Sequence, residues 1–138
     1  MPFFNSINNF EGGLALWRAN AVQSMTADKA HRLGIRISRI CAWGTSRLAF
    51  DGSGRVLRGK ESEKTAGNYS VCEFRNGKIY NCDLNASYNI GARYFIRELL
   101  KTVPVTEQQG ILAKVPGCSK RSTCTLSDLI SLNAVLCA

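Results

Sequence analysis

The chain has 138 residues, 45% hydrophobic and 20% charged, with 18 Lys and Arg against 10 Asp and Glu for a net charge of +8. That is enough apolar material for the core of one domain, and it excludes a generally disordered chain. No apolar run approaches the ~18 residues of a membrane-crossing helix, and the start MPFFNSINNFEGG has no basic region leading into an apolar stretch, so a cytoplasmic protein without membrane contact is expected.

Residues 1–13 are turn-rich and carry no clear period. Leu14, Trp17, Ala21, Met25 and Ala30 then recur at helical spacing, which predicts an amphipathic helix closed by Gly34. Ile35 to Cys41 alternates apolar and polar residues and predicts a strand. From Thr45 to Gly67 the chain carries Gly52, Gly54, Gly59 and Gly67 among many charges and reads as loops with at most short hairpins. Tyr69–Phe74 and Lys78–Tyr80 read as strands around Arg75-Asn76-Gly77, where Asn-Gly is a strong hairpin signal. A helix opens near Asp83 and runs to Lys101 with Leu84, Tyr88, Ala92, Phe95 and Leu99 as its apolar face, and Pro104 ends it. Residues 102–117 read as a polar connector. The last helix spans Thr125 to about Leu136, opened by the capping box Thr125-x-x-Asp128.

The six cysteines, at 41, 72, 82, 118, 124 and 137, include no C-x-x-C pair. Structural zinc is usually held by two such tight pairs, and the single histidine, His31, reads as a solvated residue, so zinc is not expected. In the cytosol the thiols stay reduced. The basic residues are concentrated: 14 of the 18 lie between Lys29 and Lys101, against six acidic residues. A folded surface of that balance attracts polyanions by releasing condensed counterions, and aromatic side chains beside it can stack on unpaired bases. A solvated basic face with the aromatics in the core fits the composition equally well.

The segment Asp83-Leu84-Asn85-Ala86-Ser87-Tyr88-Asn89-Ile90 resembles the last nuclease motif, Asp-x-Asn-Ala-(Ala/Ser)-x-Asn-Ile, of the TnpB (OrfB) family of insertion-sequence, transposase-associated RNA-guided DNA endonucleases, relatives of the type V CRISPR effectors. Lys29-Ala30-His31-x-x-Gly34-Ile35 and Thr45-Ser46 resemble two upstream motifs of that family in the same order and at matching gaps, so the similarity runs from about Leu14 to Leu100. The resemblance implies an α/β fold: the C-terminal portion of an RNase H-like (RuvC) core with a zinc-ribbon-like insertion and a C-terminal helix. It divides the chain into a helix and strand over 1–44, an insertion over 45–82, the final core helix over 83–101 and a connector with helix over 102–138. In such a nuclease, three carboxylates hold two magnesium ions that activate water and stabilise the leaving oxygen.

Asp83 matches the last of those three carboxylates and is the candidate catalytic residue and magnesium ligand. Taken locally, it is also an ordinary helix-opening acid. The other two have no match: Glu11 lies too close to Leu14 and Trp17, Asp28 reads as an exposed helix residue and Asp51 as a turn residue. The family's zinc ribbon also departs, because Thr45-Ser46 is followed by no cysteine pair and only Cys72 falls near a ligand position. A metal-free insertion is expected, packed through Phe50, Tyr69, Phe74 and Tyr80. The candidate nucleic-acid contacts are Lys29, Arg32, Arg36, Arg39, Arg47, Arg55, Arg58, Lys60, Arg75 and Lys78. The expected function is a DNA-binding C-terminal fragment of a TnpB-like endonuclease, partnered by DNA and guide RNA and unable to cut alone. The alternatives are a stand-alone nucleic-acid-binding or regulatory module, and a decayed reading frame whose product folds poorly.

Overall fold

The computed structural model describes residues 18–138, which divide between two compact units, one ending at Arg39 and one running from Ile40 to Ala138. The predicted helix start at Leu14 and Trp17, and Glu11, lie outside the described residues. In the first unit, helix α1 covers residues 18–32 and stops as predicted. Gly34 takes φ +69°, its N–H donates to His31 O, and the Ile35 N–H donates back to Ala30 O at 2.8 Å. This is the Schellman arrangement, in which a left-handed residue closes the last turn. Val22, Met25, Leu33 and Ile35 remain largely exposed beside it.

The strand predicted over Ile35–Cys41 does not form; the segment has no regular structure. Alternation makes a strand only where a neighbouring strand takes up its backbone hydrogen bonds. Among the described residues none pairs with it, and Ile35 and Ile37 are exposed.

The second unit combines helices with a small antiparallel sheet. Glycine-rich turns fold residues 44–56 into a tight loop in which Leu48 bridges to Arg55. Strand β1 (Leu57–Arg58) pairs with β2 (Val71–Glu73), which pairs with β3 (Ile79–Asn81), in the order β1-β2-β3 and antiparallel throughout. The β2–β3 turn falls at Asn76-Gly77 as its sequence predicts, with Gly77 at φ +82° and Phe74 N–H bonded to Lys78 O. Helix α2 (Cys82–Lys101) follows β3 directly, then α3 (Val105–Lys114) and α4 (Leu126–Leu136).

Two apolar clusters hold this unit. The first joins Ala49, Val56, Cys72, Phe74 and Cys82, with Phe50 and Tyr80 packed on it. Phe50 sits edge-on to Phe74, Tyr80 and Tyr88, with ring centroids 4.9–5.4 Å apart. Tyr69, expected in this cluster, is 61% exposed and outside it. The second cluster joins Ile96, Val115, Cys118, Cys124 and Leu132, lined by side chains of α2, α3 and α4.

The polar connector predicted over 102–117 is largely helix α3. Thr106, Glu107, Gln108, Gln109 and Gly110 hide its short apolar stripe, Ile111 and Leu112, which packs on the second cluster. Gln108 Nε2 donates to Leu100 O and Val103 O, satisfying carbonyls at the end of α2. The capping box of α4 is present: the Asp128 carboxylate accepts from both the N–H and the hydroxyl of Thr125. Among the described residues, no helix is long and apolar enough to cross a membrane.

Candidate nucleic-acid interface

The motif segment forms the first half of α2. Its N-cap is Asn81, two residues before the acid: Asn81 Oδ1 accepts from the N–H groups of Asp83 and Leu84 at 2.9 and 3.0 Å. Asp83 therefore sits inside the first turn, exposed, where the unpaired amides of the helix start favour a carboxylate.

Of the predicted apolar face of α2, Ala92 is buried and Leu99 packs on the second cluster, but the other three residues are turned away from the core. Leu84, Tyr88 and Phe95 are 44%, 41% and 54% exposed, whereas Asn85, Asn89 and Arg93 are buried. These three residues recur every four positions and so share one helix face. Asn85 Nδ2 donates to Leu48 O at 2.9 Å, and its Oδ1 accepts from the Phe50 N–H at 2.9 Å. Asn89 Nδ2 donates to Thr45 O and Leu48 O at 2.9 and 2.7 Å, and its Oδ1 accepts from the Leu126 N–H.

Arg93 completes the face. Its guanidinium donates to four backbone carbonyls: Cys41 O, Trp43 O, Ser122 O and Cys124 O, at 2.6–3.0 Å. Burial pushes its pKa down from the usual arginine value, and the carbonyl oxygens stand in for the missing counter-ion. Arg93 is not among the residues that the motifs single out; its signal in the sequence is the recurrence of polar residues at every fourth position of a helix.

The magnesium pair implied by the resemblance needs a convergent set of oxygen ligands. Among the described residues, no three or more His, Cys, Asp or Glu side chains gather into a group that could hold a metal ion. Asp83 thus has no ligand set around it in the described part of the chain. Cys72 and Cys82 are buried in the first cluster as thiols. Burial, and then the neighbouring Cys82, push the Cys72 thiol up to about 12.

The candidate basic residues fall into two sets. Lys29 and Arg32 lie on α1, and Arg36 and Arg39 lie in the irregular segment after it, all four exposed. The remaining six belong to the second unit and differ in how free their charge is. Arg47 is gripped by both oxygens of Glu61 at 2.9 and 3.0 Å, and Arg55 lies 3.3 Å from the same carboxylate. Arg47 first, and then the Arg58 N–H, hold the Glu61 carboxyl at about 2. Arg58 reaches Ser46 Oγ at 3.5 Å.

Lys60, Arg75 and Lys78 are exposed and make no ion pair among the described residues. Asp51, exposed next to the hairpin turn, accepts from the Ser53 N–H and from Asn76 Nδ2. Burial raises its carboxyl, but hydrogen bonds from Ser53 and Asn76 and the charge of Lys78 outweigh that and leave it below the ordinary value. From Arg55 to Lys78, six basic residues stand against three acidic ones, so this stretch keeps a positive surplus.

No family model matches this chain, and comparison with curated proteins and with solved structures returns no match.

Proposed function

We propose that this chain is the DNA-binding C-terminal portion of a TnpB-like, RNA-guided endonuclease. Residues 45–82 would be its metal-free, zinc-ribbon-like insertion and α2 the closing helix of an RNase H-like core. The observation that carries this reading is the meeting of its two motif segments. Thr45-Ser46 and Asp83–Ile90 are about forty residues apart, yet Asn85 and Asn89, both motif positions, donate to the carbonyl of Thr45. A chance match to a short motif carries no reason for its two parts to hold each other.

The residual activity is electrostatic. Lys60, Arg75 and Lys78, with Arg55 at the edge of its pair with Glu61, present positive charge to phosphates. Base pairing with a guide RNA supplies sequence recognition in effectors of this kind. Single carboxylates do not organise a two-metal site, so the isolated chain binds and does not cut.

Titration of single-stranded DNA at two salt concentrations tests the contact. Affinity falls as salt rises, with a log–log slope of about −0.7 for each phosphate neutralised; affinity indifferent to salt overturns it. Magnesium-dependent nicking by the isolated chain, abolished in Asp83→Ala, overturns the claim that it cannot cut alone. Tightly bound stoichiometric zinc overturns the metal-free insertion. A second reading, a nucleic-acid-binding module that serves no nuclease, is favoured by the exposed, unclustered Asp83. Binding to DNA without any response to a guide RNA selects it.

A further inference from the structure

Tyr69 was expected in the core and is instead held on the surface by an unusual support. Gly59 takes φ +62°, and a Cβ at this position would overlap the Tyr69 ring. The Cδ1, Cε1 and Cζ atoms of the ring all converge on the point that Cβ would occupy, so the face of the ring, not its edge, covers the glycine. One face lies on backbone, and a side chain that is 61% exposed has its other face open to solvent.

The support is rigid. Gly59 N–H donates to Asn68 O, Gly67 N–H donates back to Gly59 O, and the buried Thr65 hydroxyl donates to Gly59 O at 2.5 Å and Ser62 O at 2.9 Å. Ala66 and Gly67 both adopt positive φ to close this loop. Lys60, exposed and without an ion pair among the described residues, follows Gly59 directly, and Arg58 precedes it. Across the same loop, Lys64 Nζ reaches Glu73 and approaches Gly77 O, which ties the platform to the hairpin turn that carries Arg75 and Lys78.

An open aromatic face on a fixed base, flanked by free positive charge, is the arrangement that binds an unpaired nucleotide: the ring stacks on the base while the cations take the phosphates. A base inside a duplex is already stacked on its neighbours and offers no free face. We infer that Tyr69, seated on Gly59, is a stacking platform for one unpaired base, which makes single-stranded nucleic acid the preferred ligand of this surface. This inference rests on the proposed DNA contact and specifies its substrate class.

The test measures binding of the full chain to a labelled oligothymidylate of about twelve nucleotides, to the corresponding duplex, and to an abasic strand of equal charge. Tyr69→Ala weakens oligothymidylate binding about tenfold, the loss of one stacked base. It leaves the salt slope, the duplex and the abasic strand unchanged. Tyr69→Phe binds like the parent, and Lys60→Ala lowers the salt slope on all three ligands. Tyr69→Leu still covers Gly59 but has no π-face, so it carries the test if the alanine variant folds poorly. Parental affinity of Tyr69→Leu for oligothymidylate, with Lys60→Ala weakened, overturns the platform and leaves the DNA contact standing. No binding of any strand by the parent chain at low salt overturns the contact itself.

Discussion

The two halves of α2 are fastened by different physics. From Ile96 onward, the helix is held by apolar burial, its side chains meeting Val115, Cys118, Cys124 and Leu132 in a cluster that also takes up residues of α3 and α4. From Asn85 to Arg93 it is held mainly by hydrogen bonds to backbone, with two amides and one guanidinium reaching the segments around Thr45, Trp43 and Cys124. Apolar contacts are non-directional and tolerate small shifts, whereas a buried donor facing a carbonyl is worth most when geometry is met and costs most when it is not. The first half of α2 therefore dictates where the turns at 43–50 and the chain before α4 must run. The second half supplies cohesion.

Breaking the polar half has the largest expected effect. Arg93→Met leaves four buried or partly buried carbonyls without their donor, and at about 1–3 kcal/mol for each orphaned group the variant loses roughly 4 kcal/mol or more. Chemical denaturation measures this; a loss below about 1 kcal/mol would mean that water replaces the guanidinium at no cost. In the apolar half, Leu132, fully buried, is the matched probe. Leu132→Ala costs about 2–5 kcal/mol by transfer and cavity terms. The two losses differ in character: Leu132→Met retains most of the stability, whereas Arg93→Lys does not rescue, because one ammonium lacks the planar fork that reaches four oxygens.

Asn89→Ala comes next, at about 2 kcal/mol, since it removes the closer donor to Thr45 O and one of the two donors to Leu48 O, and leaves the Leu126 N–H without its acceptor. Asn85 also donates to both carbonyls, so each single variant leaves them one donor and the double variant, which leaves none, loses more than the sum of the singles. Thiol chemistry separates the packed clusters from the surface. Cys41 and Cys137 are exposed and react at once with a disulfide reagent near neutral pH. Cys72, Cys82, Cys118 and Cys124 are buried, and burial pushes Cys72 and Cys118 up to about 12, so these four react only as the protein unfolds. More than two fast thiols in the native protein would contradict the packing.

The surface pairs have the smallest effects. Glu61 has its carboxyl lowered in the folded protein by Arg47 and the Arg58 N–H, so its contribution is complete above its ordinary value near 4.5 and is lost as pH falls towards about 2. In Glu61→Gln that acid-limb loss disappears, which acid titration of both proteins reveals. Asp83→Ala removes only an exposed carboxylate from a helix start and costs less than about 1 kcal/mol. A larger loss would show that Asp83 has a partner beyond those in the described chain.

The elements written by short-range chemistry were readable. Gly34 stops α1, Asn76-Gly77 turns the hairpin, and Thr125 with Asp128 opens α4, each within a few residues of the signal. The candidate basic residues were nameable too, but their availability was not. Arg47 looks like Lys60 in the sequence until Glu61 is seen to grip it from fourteen residues away. Tyr69 looked like Phe74 until Gly59 was seen beneath it.

Part of the face of α2, beside the correctly placed Ala92 and Leu99, was misread for the same reason. Leu84, Tyr88 and Phe95 have the hydropathy of a core, and Asn85, Asn89 and Arg93 that of a surface. Burial of a polar side chain depends on whether carbonyls are waiting for it, and these come from segments thirty to fifty residues distant. Ile35–Cys41 failed as a strand in the converse way, with the right alternation and no paired neighbour among the described residues. Caps, turns and the positive surplus belong to the sequence by itself, because their causes lie within a turn or two of the chain. The buried polar stripe, the freed cations and the exposed tyrosine were decided by tertiary structure, because only the folded chain brings each side chain to the group that satisfies or supports it.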